Sequence, residues 1–548
     1  MMVREMQRKL SLKAEKARDH VFGDLYSLLC RGDWLAMAWE KVKSNKGSRT
    51  AGVDRTTRSN FEHDEQGCLA RLKEKLRQAT FKPSPVRRQY IRELKASGRI
   101  KIRPLGIPTL EDRMVQEAVR MILEPIFEPD FSQDSYGFRP GRSTHRALTS
   151  VWRRLLPHAG YRWIIEGDIS SFFDNVNHKL MLRFLKRRIR DKKLLKLVWM
   201  FLRSGVMEEG TVRNTTIGTP QGGIISPLLA NIYLHELDRY MERRTKRSHW
   251  KRNDNRKKGI ANFLYTRYAD DFVVLCCGTK HQAEAMKQEL SQFLANELRL
   301  ELAMDKTKVT HIQDGFTFLG FHLSSGIGST GKIIVRVRIP EEAVKRAQAK
   351  TDIMLKAQTE MSVNSKILAL NSVIRGWCQY DQYATIPIFM FKKLEYRVFW
   401  DTAHWLGKKF KRQMPEVMRR YRQGNTFGTS TTQLVLPTKY KNKRLQFRLA
   451  TNPYTGNTVP EYEEVVDLDQ LWTGIENRPG SLDRKEEVYR RDGGKCGICG
   501  EDVDWAGGEL DHRTSRYTFR DKKEADRKKN LWIVHPECHR QKTYGQLA

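Results

Sequence analysis

Three carboxylates stand out because each follows an apolar run. Asp168 closes RWIIEGD, and Asp270 and Asp271 sit at the tip of NFLYTRYADDFVVLCC. A carboxylate at the end of a buried strand loses hydration and needs a partner. A hard divalent cation meets that need, and magnesium commonly shares its oxygen shell with substrate phosphates. Two such ions would activate a 3′-hydroxyl and stabilise a departing pyrophosphate. On spacing alone, the alternative is a solvated hairpin tip. A second set of reactive residue types lies near the end of the sequence: CGIC at 496–499, ELDH at 509–512 and NLWIVHPECH at 530–539. Cys496 and Cys499 followed by His535 and Cys538 have zinc-site spacing. Cys30, Cys68, Cys276, Cys277 and Cys378 are scattered, and they read as small buried hydrophobes rather than a disulfide framework.

The elements that must position these groups alternate. Residues 162–169 read as a buried strand and 178–205 as one basic amphipathic helix. Residues 227–247 are helical after Pro227, 262–277 form two strands around a polar tip, and 281–298 are helical. KVTHI, FTFLGFHL and KIIVRVRI are short strands, and the pattern is helical from Pro340 to about 425. This order predicts an α+β multidomain chain, a mixed body followed by a helical module. Asp174 and Asn175 read as turn and helix-cap residues, and His178 as structural.

Charge narrows the function classes. The 548 residues include 100 Lys+Arg and 64 Asp+Glu, a formal net charge of +36. With 39% hydrophobic residues the chain can bury cores, which excludes wholesale disorder. A surplus of this size points to nucleic acid. Residues 451–470 hold five acids and no Lys or Arg, and 481–548 hold 15 basic and 13 acidic residues, so the surplus belongs to the first 450. No run reaches the ~18 apolar residues of a membrane span. The start, MMVREMQRKL, lacks an apolar signal core, so a cytoplasmic location is expected rather than export, with an organellar one the weaker alternative.

The wording of several segments goes further. YADD at Tyr268–Asp271 matches the signature of reverse transcriptases. DISSFFD (168–174) resembles the family's first metal-binding strand, and GTPQGGIISPLLANIYLHELD (218–238) its template- and primer-contacting motif. KIRPLGIPTLEDRMVQEAV (101–119), SYGFRPGRSTHRAL (135–148) and MDKTKVTHI with FTFLGFHL (304–323) resemble the group II intron-encoded branch. These blocks occur in the family's order over roughly 80–325. NSVIRGWCQY (371–380) resembles domain X, the maturase thumb. WEKVKSNKGSRTAGVDRTT (39–57) resembles the RNA-holding N-terminal extension, and TKYKNKRLQFR (438–448) fits the DNA-binding region. The 496–539 segment is similar to HNH endonucleases.

The resemblance implies a bacterial group II intron-encoded protein: a right-hand polymerase with fingers and palm (76–330) behind an N-terminal extension (1–75). A helical thumb (331–430), a DNA-binding region and linker (431–480) and a ββα-metal HNH module (481–548) would follow. Asp168, Asp270 and Asp271 would bind two Mg2+, with the carbonyl of Ile169 completing the shell. Phe173 would exclude a ribose 2′-hydroxyl. Arg103 would hold the triphosphate, with Arg92 or Lys95 as partner, because a guanidinium donates to phosphate in a planar fork. Gln221 would position template or nucleotide, while Gly222 and Gly223 would let backbone approach substrate. Lys306 would act as general acid for pyrophosphate or simply neutralise phosphate. In the nuclease, His512 would be the general base, Asp511 and His539 would bind a divalent cation, and Asn530 would fix the loop. Related proteins often have a fourth cysteine where this chain has His535. That histidine would either complete a zinc site with Cys496, Cys499 and Cys538 or pair with His539 on the catalytic metal. The implied partners are intron lariat RNA in a ribonucleoprotein, target DNA and dNTPs, with no membrane. The implied work is splicing assistance, target-strand nicking and target-primed cDNA synthesis for retrohoming. A binding-only maturase and a CRISPR- or retron-linked defence enzyme are the competing expectations.

Overall fold

The computed structural model describes residues 2–94, 100–208, 211–213, 222–356, 361–447, 451–455, 488–489, 491–503, 509–514, 518, 527–535, 538–539 and 542. Its strands, in chain order, are β1 (Val86–Leu94), β2 (Ile100–Ile107), β3 (Trp163–Gly167), β4 (Val206–Glu208), β5 (Thr211–Arg213), β6 (Asn262–Tyr268) and β7 (Asp271–Cys277). They continue with β8 (Lys308–His311), β9 (Phe316–Phe318), β10 (Phe321–Ile327), β11 (Ile333–Arg338), β12 (Arg422–Gln423), β13 (Thr426–Phe427), β14 (Glu509–His512) and β15 (Leu531–Val534).

The central sheet has the order β6-β7-β3-β8 and is antiparallel throughout. Its strand β7, DFVVLCC, reads as an unbroken apolar run because both faces are covered. Phe272, Val274 and Cys276 enter one core with the helices Leu110–Phe127 and Ser226–Thr245. Val273 and Leu275 enter a second core with β9–β11 and the helices that follow. The period of two along one strand therefore feeds two cores.

The helix Leu110–Phe127 is buried over nearly its whole length and is started by Thr109, whose hydroxyl accepts from Asp112 N at 3.1 Å. Its far side is covered by the helices Val3–Lys16 and Gly32–Ser44. Gln7 Nε2 donates to the Met121 carbonyl at 2.9 Å, and Trp34 Nε1 donates to the Ala118 carbonyl at 3.0 Å. A second sheet, β2-β1-β4-β5, is built on a long antiparallel hairpin that runs from Arg87↔Ile107 to Leu94↔Ile100. The third, β11-β10-β9, leads into the helices Glu341–Lys356, Val363–Asp381, Ile388–Phe410 and Met414–Tyr421. β10 and β11 pair across residue 330, so one hairpin spans the boundary drawn there from sequence.

Three local expectations need correction. Residues 178–205 form two helices, His178–Leu185 and Lys192–Leu202, rather than one. Between them Phe22 N donates to the Arg188 carbonyl at 2.7 Å, and Arg190 N donates to the Phe22 carbonyl at 2.8 Å. Asp191 then caps the second helix, accepting from Lys193 N and Leu194 N. Pairing with the N-terminal segment thus breaks a continuous amphipathic pattern. FTFLGFHL is a hairpin, because Leu319 (φ 50°) and Gly320 (φ 76°) turn the chain between Phe318 and Phe321. The cap of His178–Leu185 is Asn177, which accepts from Leu180 N at 3.1 Å, while Asn175 Nδ2 donates to the Ser170 carbonyl. His178 is buried edge-on to Trp199, in keeping with a structural role.

Candidate active site and a second cluster of metal-ligating residues

Asp168 leaves β3 immediately after Gly167, and Gly167 lies opposite Phe272. A Cβ at Gly167 would meet the Phe272 ring at 2.1 Å, so only glycine lets the two strands close at this point. The same register sets Asp168 beside Asp271, the first residue of β7. Tyr268 and Asp271 pair across a two-residue turn of Ala269 and Asp270. Ala269 is left-handed at φ 56°, a conformation that disfavours a side chain and must be imposed by surroundings.

Those surroundings were not foreseen from sequence. Arg267 and Asp238 are both fully buried and form a two-point ion pair, Nη2–Oδ2 2.6 Å and Nε–Oδ1 2.7 Å. The remaining Nη1 donates to the Ala269 carbonyl at 2.8 Å and to Asn231 Oδ1 at 3.1 Å, and Asn231 Nδ2 donates to the Gly137 carbonyl. Gly137 itself lies so close that a Cβ would meet Ala269 N at 2.3 Å. Burial alone would lower the Arg267 pKa, but Asp238 overrides it and the guanidinium stays charged. The available signal was an arginine inside an otherwise apolar strand, which requires a buried acid elsewhere.

The three acids interact as a group. The Asp271 carboxyl is pushed up to about 6, by the protein packed around it and then by the like charges of Asp270 and Asp168, with Lys306 pulling it back. The side chain still opens to solvent, where a cation could reach it. Lys306 Nζ lies 2.8 Å from Asp168 Oδ2, and that contact raises its own pKa. Ile169 is buried and bridges Leu302, with Ser170 N donating to the Glu301 carbonyl and Ala303 N to the Asp168 carbonyl. In this kind of antiparallel pair the Ile169 carbonyl is not used by the bridge and remains available. An all-oxygen donor set with crowded negative charge fits a hard divalent cation.

Phe173 is half-buried against Phe172, with ring centroids 5.2 Å apart. Gly222 has φ 109°, and a Cβ there would meet the Gly106 carbonyl at 2.4 Å. Its backbone thus lies directly against β2. Gln221 and Lys95 lie outside the described residues. For Arg92 and Arg103 only the backbone is described, opposite Ile102 and Ile91 in the β1–β2 hairpin. From the helical module, Tyr380 OH donates to the Leu319 carbonyl at 2.8 Å, and His145 Nε2 lies 2.8 Å from the Tyr380 carbonyl. Thr144 Oγ1 reaches Tyr268 OH at 3.3 Å, so helix Thr144–Arg154 lies between that module and the carboxylate turn.

Near the end of the chain, β14 and β15 pair antiparallel, with Asp511 opposite Trp532 and His512 opposite Leu531. Ligand atoms of Cys496, Cys499, His535 and Cys538 lie within 4.8 Å of one another. His535 Nδ1 is 3.3 Å from Cys499 Sγ, while its Nε2 meets the Asp502 carbonyl at 3.1 Å. Anchoring one ring nitrogen to a carbonyl leaves the other for a metal. His539 Nε2 is 3.5 Å from Asp511 Oδ1, and its Nδ1 is 2.6 Å from Glu509 Oε2. Lys542 Nζ bonds Asp511 Oδ2 at 2.7 Å. Burial would raise the Asp511 pKa, but Lys542 and the Trp532 indole outweigh it and the net shift is downward. Asn530 holds the segment after His512 at both ends of its amide, accepting from Thr514 N at 2.9 Å and donating to Thr514 O at 3.0 Å. Glu509 and Lys542 had not been singled out from sequence. No helix among the described residues is long and apolar enough to cross a membrane.

Residues 94–323 match the family of reverse transcriptases (RNA-dependent DNA polymerases), and residues 344–423 match the group II intron maturase-specific domain. Protein YkfC of Escherichia coli (strain K12) is 39% identical over 373 residues, covering 65% of this chain and 97% of that protein. Group II intron-encoded protein LtrA of Lactococcus lactis subsp. cremoris is 33% identical over 442 residues, covering 68% and 72%. Nuclear intron maturase 2, mitochondrial, of Arabidopsis thaliana is 30% identical over 273 residues, covering 38% and 37%. With the carboxylate turn on the central sheet and the maturase-specific helices after it, the chain belongs to the group II intron-encoded reverse transcriptase and maturase family.

Proposed function

We propose that the chain copies RNA into DNA at the Asp168–Asp270–Asp271 cluster, assists intron splicing, and nicks target DNA through its C-terminal module. The observation that carries the polymerase reading is the convergence of three acids with Lys306 on one sheet end, where burial and then the charges of Asp270 and Asp168 push the Asp271 carboxyl up to about 6. Magnesium held by Asp168, Asp270, Asp271 and the Ile169 carbonyl would supply the charge neutralisation that a 3′-hydroxyl and a departing pyrophosphate require. The chain's own groups do the rest. Arg267 fixes the turn that carries Asp270, Lys306 holds a proton beside Asp168, and Phe173 offers an aromatic wall for the sugar. Arg103 and Gln221 would contact triphosphate and template. Cys496, Cys499, His535 and Cys538 would hold structural zinc. His512 would activate water beside a divalent cation on Asp511 and His539, with Asn530 fixing the loop. Intron lariat RNA, target DNA and dNTPs are the partners, in a cytoplasmic ribonucleoprotein.

Asp270→Ala tests the polymerase reading. Primer extension on poly(rA)·oligo(dT) should fall about a thousandfold, equivalent to ~4 kcal/mol of barrier, with the melting temperature held. Equal activity in variant and parent sinks the assignment. For the nuclease, His512→Ala should abolish strand nicking while primer extension and splicing assistance persist. Loss of all three would make the module a folding element.

A further inference from the structure

The helix His249–Lys257 stands apart from both metal-suited clusters. Residues 243–258 hold nine Lys or Arg and one acid, Asp254. That acid is shared by Lys251 at 3.3 Å and Lys258 at 3.1 Å. Of the helix itself only Asn255 is buried. Polar contacts fasten it to the edge of the central sheet: Asn255 Nδ2 to Asn262 Oδ1 at 3.0 Å, Asn262 Nδ2 to the Arg252 carbonyl at 2.9 Å, and Arg256 Nη2 to the Ala159 carbonyl at 2.9 Å. Asn262 opens β6 and Tyr268 closes it beside the catalytic turn. Six steps of ~3.3 Å put roughly 20 Å between the two ends. The charge therefore lies well away from the carboxylates themselves. Like charges three and four residues apart destabilise a helix in isolation, and the element contributes little to either core. On the same helix Trp250 is 74% exposed.

We propose that this helix and the turn before it form a docking site for folded RNA, separate from the polymerase site. Arg247, Arg252 and Lys257 take backbone phosphates, and Trp250 stacks on an unpaired base. The charge fits any nucleic acid, and the indole selects among them. Stacking needs a base splayed out of its helix, which RNA loops and bulges present and duplex DNA does not. The choice of an RNA partner rests on the intron-encoded reading, whereas the site itself rests on the helix.

The test uses the full chain, a fluorescent RNA stem-loop and a duplex DNA of matching sequence. Arg247→Gln with Arg252→Gln and Lys257→Gln should weaken stem-loop binding about tenfold or more, and should lower the salt slope by about 1 for each phosphate no longer neutralised. Trp250→Ala should weaken the stem-loop about tenfold and leave duplex DNA unchanged, and Trp250→Phe should restore most of the affinity. Primer extension on poly(rA)·oligo(dT) should be the same in all of them. Stem-loop affinity and slope unchanged in both the triple variant and Trp250→Ala overturn the proposal. So does a weakening of duplex DNA by Trp250→Ala equal to that of the stem-loop, or a parallel fall in primer extension. A parent chain that binds the stem-loop through this helix yet extends no primer defeats the polymerase reading alone.

Discussion

The two clusters suited to metals are held in place by opposite means. The carboxylates sit where one strand feeds two large cores, and a buried ion pair clamps the turn from behind. The cysteines and His535 sit beside a two-stranded sheet, in a module whose core, among the described residues, is Val488, Cys496, Val503, Leu531, Ile533 and Val534. A core that small stabilises little by burial, and structural metals commonly make up the difference. Crowded acids can be imposed by packing, so a cation held there would serve chemistry. Converging thiols with little packing around them would depend on a bound cation for the fold itself.

Metal removal should give the widest separation. Zinc-finger peptides draw ~10–16 kcal/mol from their metal. Stripping the proposed zinc with a chelator should abolish amide protection in β14 and β15 and leave protection in β3, β6 and β7 intact. Protection surviving in the stripped module would mean that its small core suffices. The clamp behind the carboxylates comes next. Arg267→Ala leaves Asp238 buried without its counter-charge, although the Tyr265 hydroxyl still donates to it, and should cost about 3–5 kcal/mol in denaturant unfolding. Arg267→Met with Asp238→Leu should recover most of that, since apolar replacement of a buried pair is commonly neutral. Primer extension should nevertheless stay low, because the Ala269 carbonyl no longer has its anchor. A double variant that regains both would reduce the pair to a stability device.

The smallest effect concerns Asp381 in the helical module, a second buried acid with no comparable clamp. Burial pushes its carboxyl up to about 8, with Arg346 pulling back. The folded chain keeps this proton while the unfolded chain releases it near 3.8. Its contribution is therefore most favourable below pH 3.8 and declines as pH rises toward about 8. Asp381→Asn should flatten that decline and raise the melting temperature by a few degrees at neutral pH. An unchanged profile would mean that the carboxyl is ionised in the fold.

Much of the site was legible in the sequence because its signals are local. A strand ending in an acid, a hairpin with acids at its tip and cysteines two apart are each confined to a few residues. The break after Leu185 was not legible, because the Phe22 backbone that causes it lies far away in sequence. The contact of Gly222 with Gly106 was not legible for the same reason, since Gly106 belongs to β2, distant in sequence.

By itself the sequence determined which segments carry oxygen, thiol and imidazole donors, and the periodicity that buries their flanks. Only the tertiary structure decided which charges meet. It paired Arg267 with Asp238, turned His535 toward the thiols, and set Lys542 against Asp511. Propensity and periodicity act over a few residues, whereas a buried charge finds its partner only when distant segments close and exclude water.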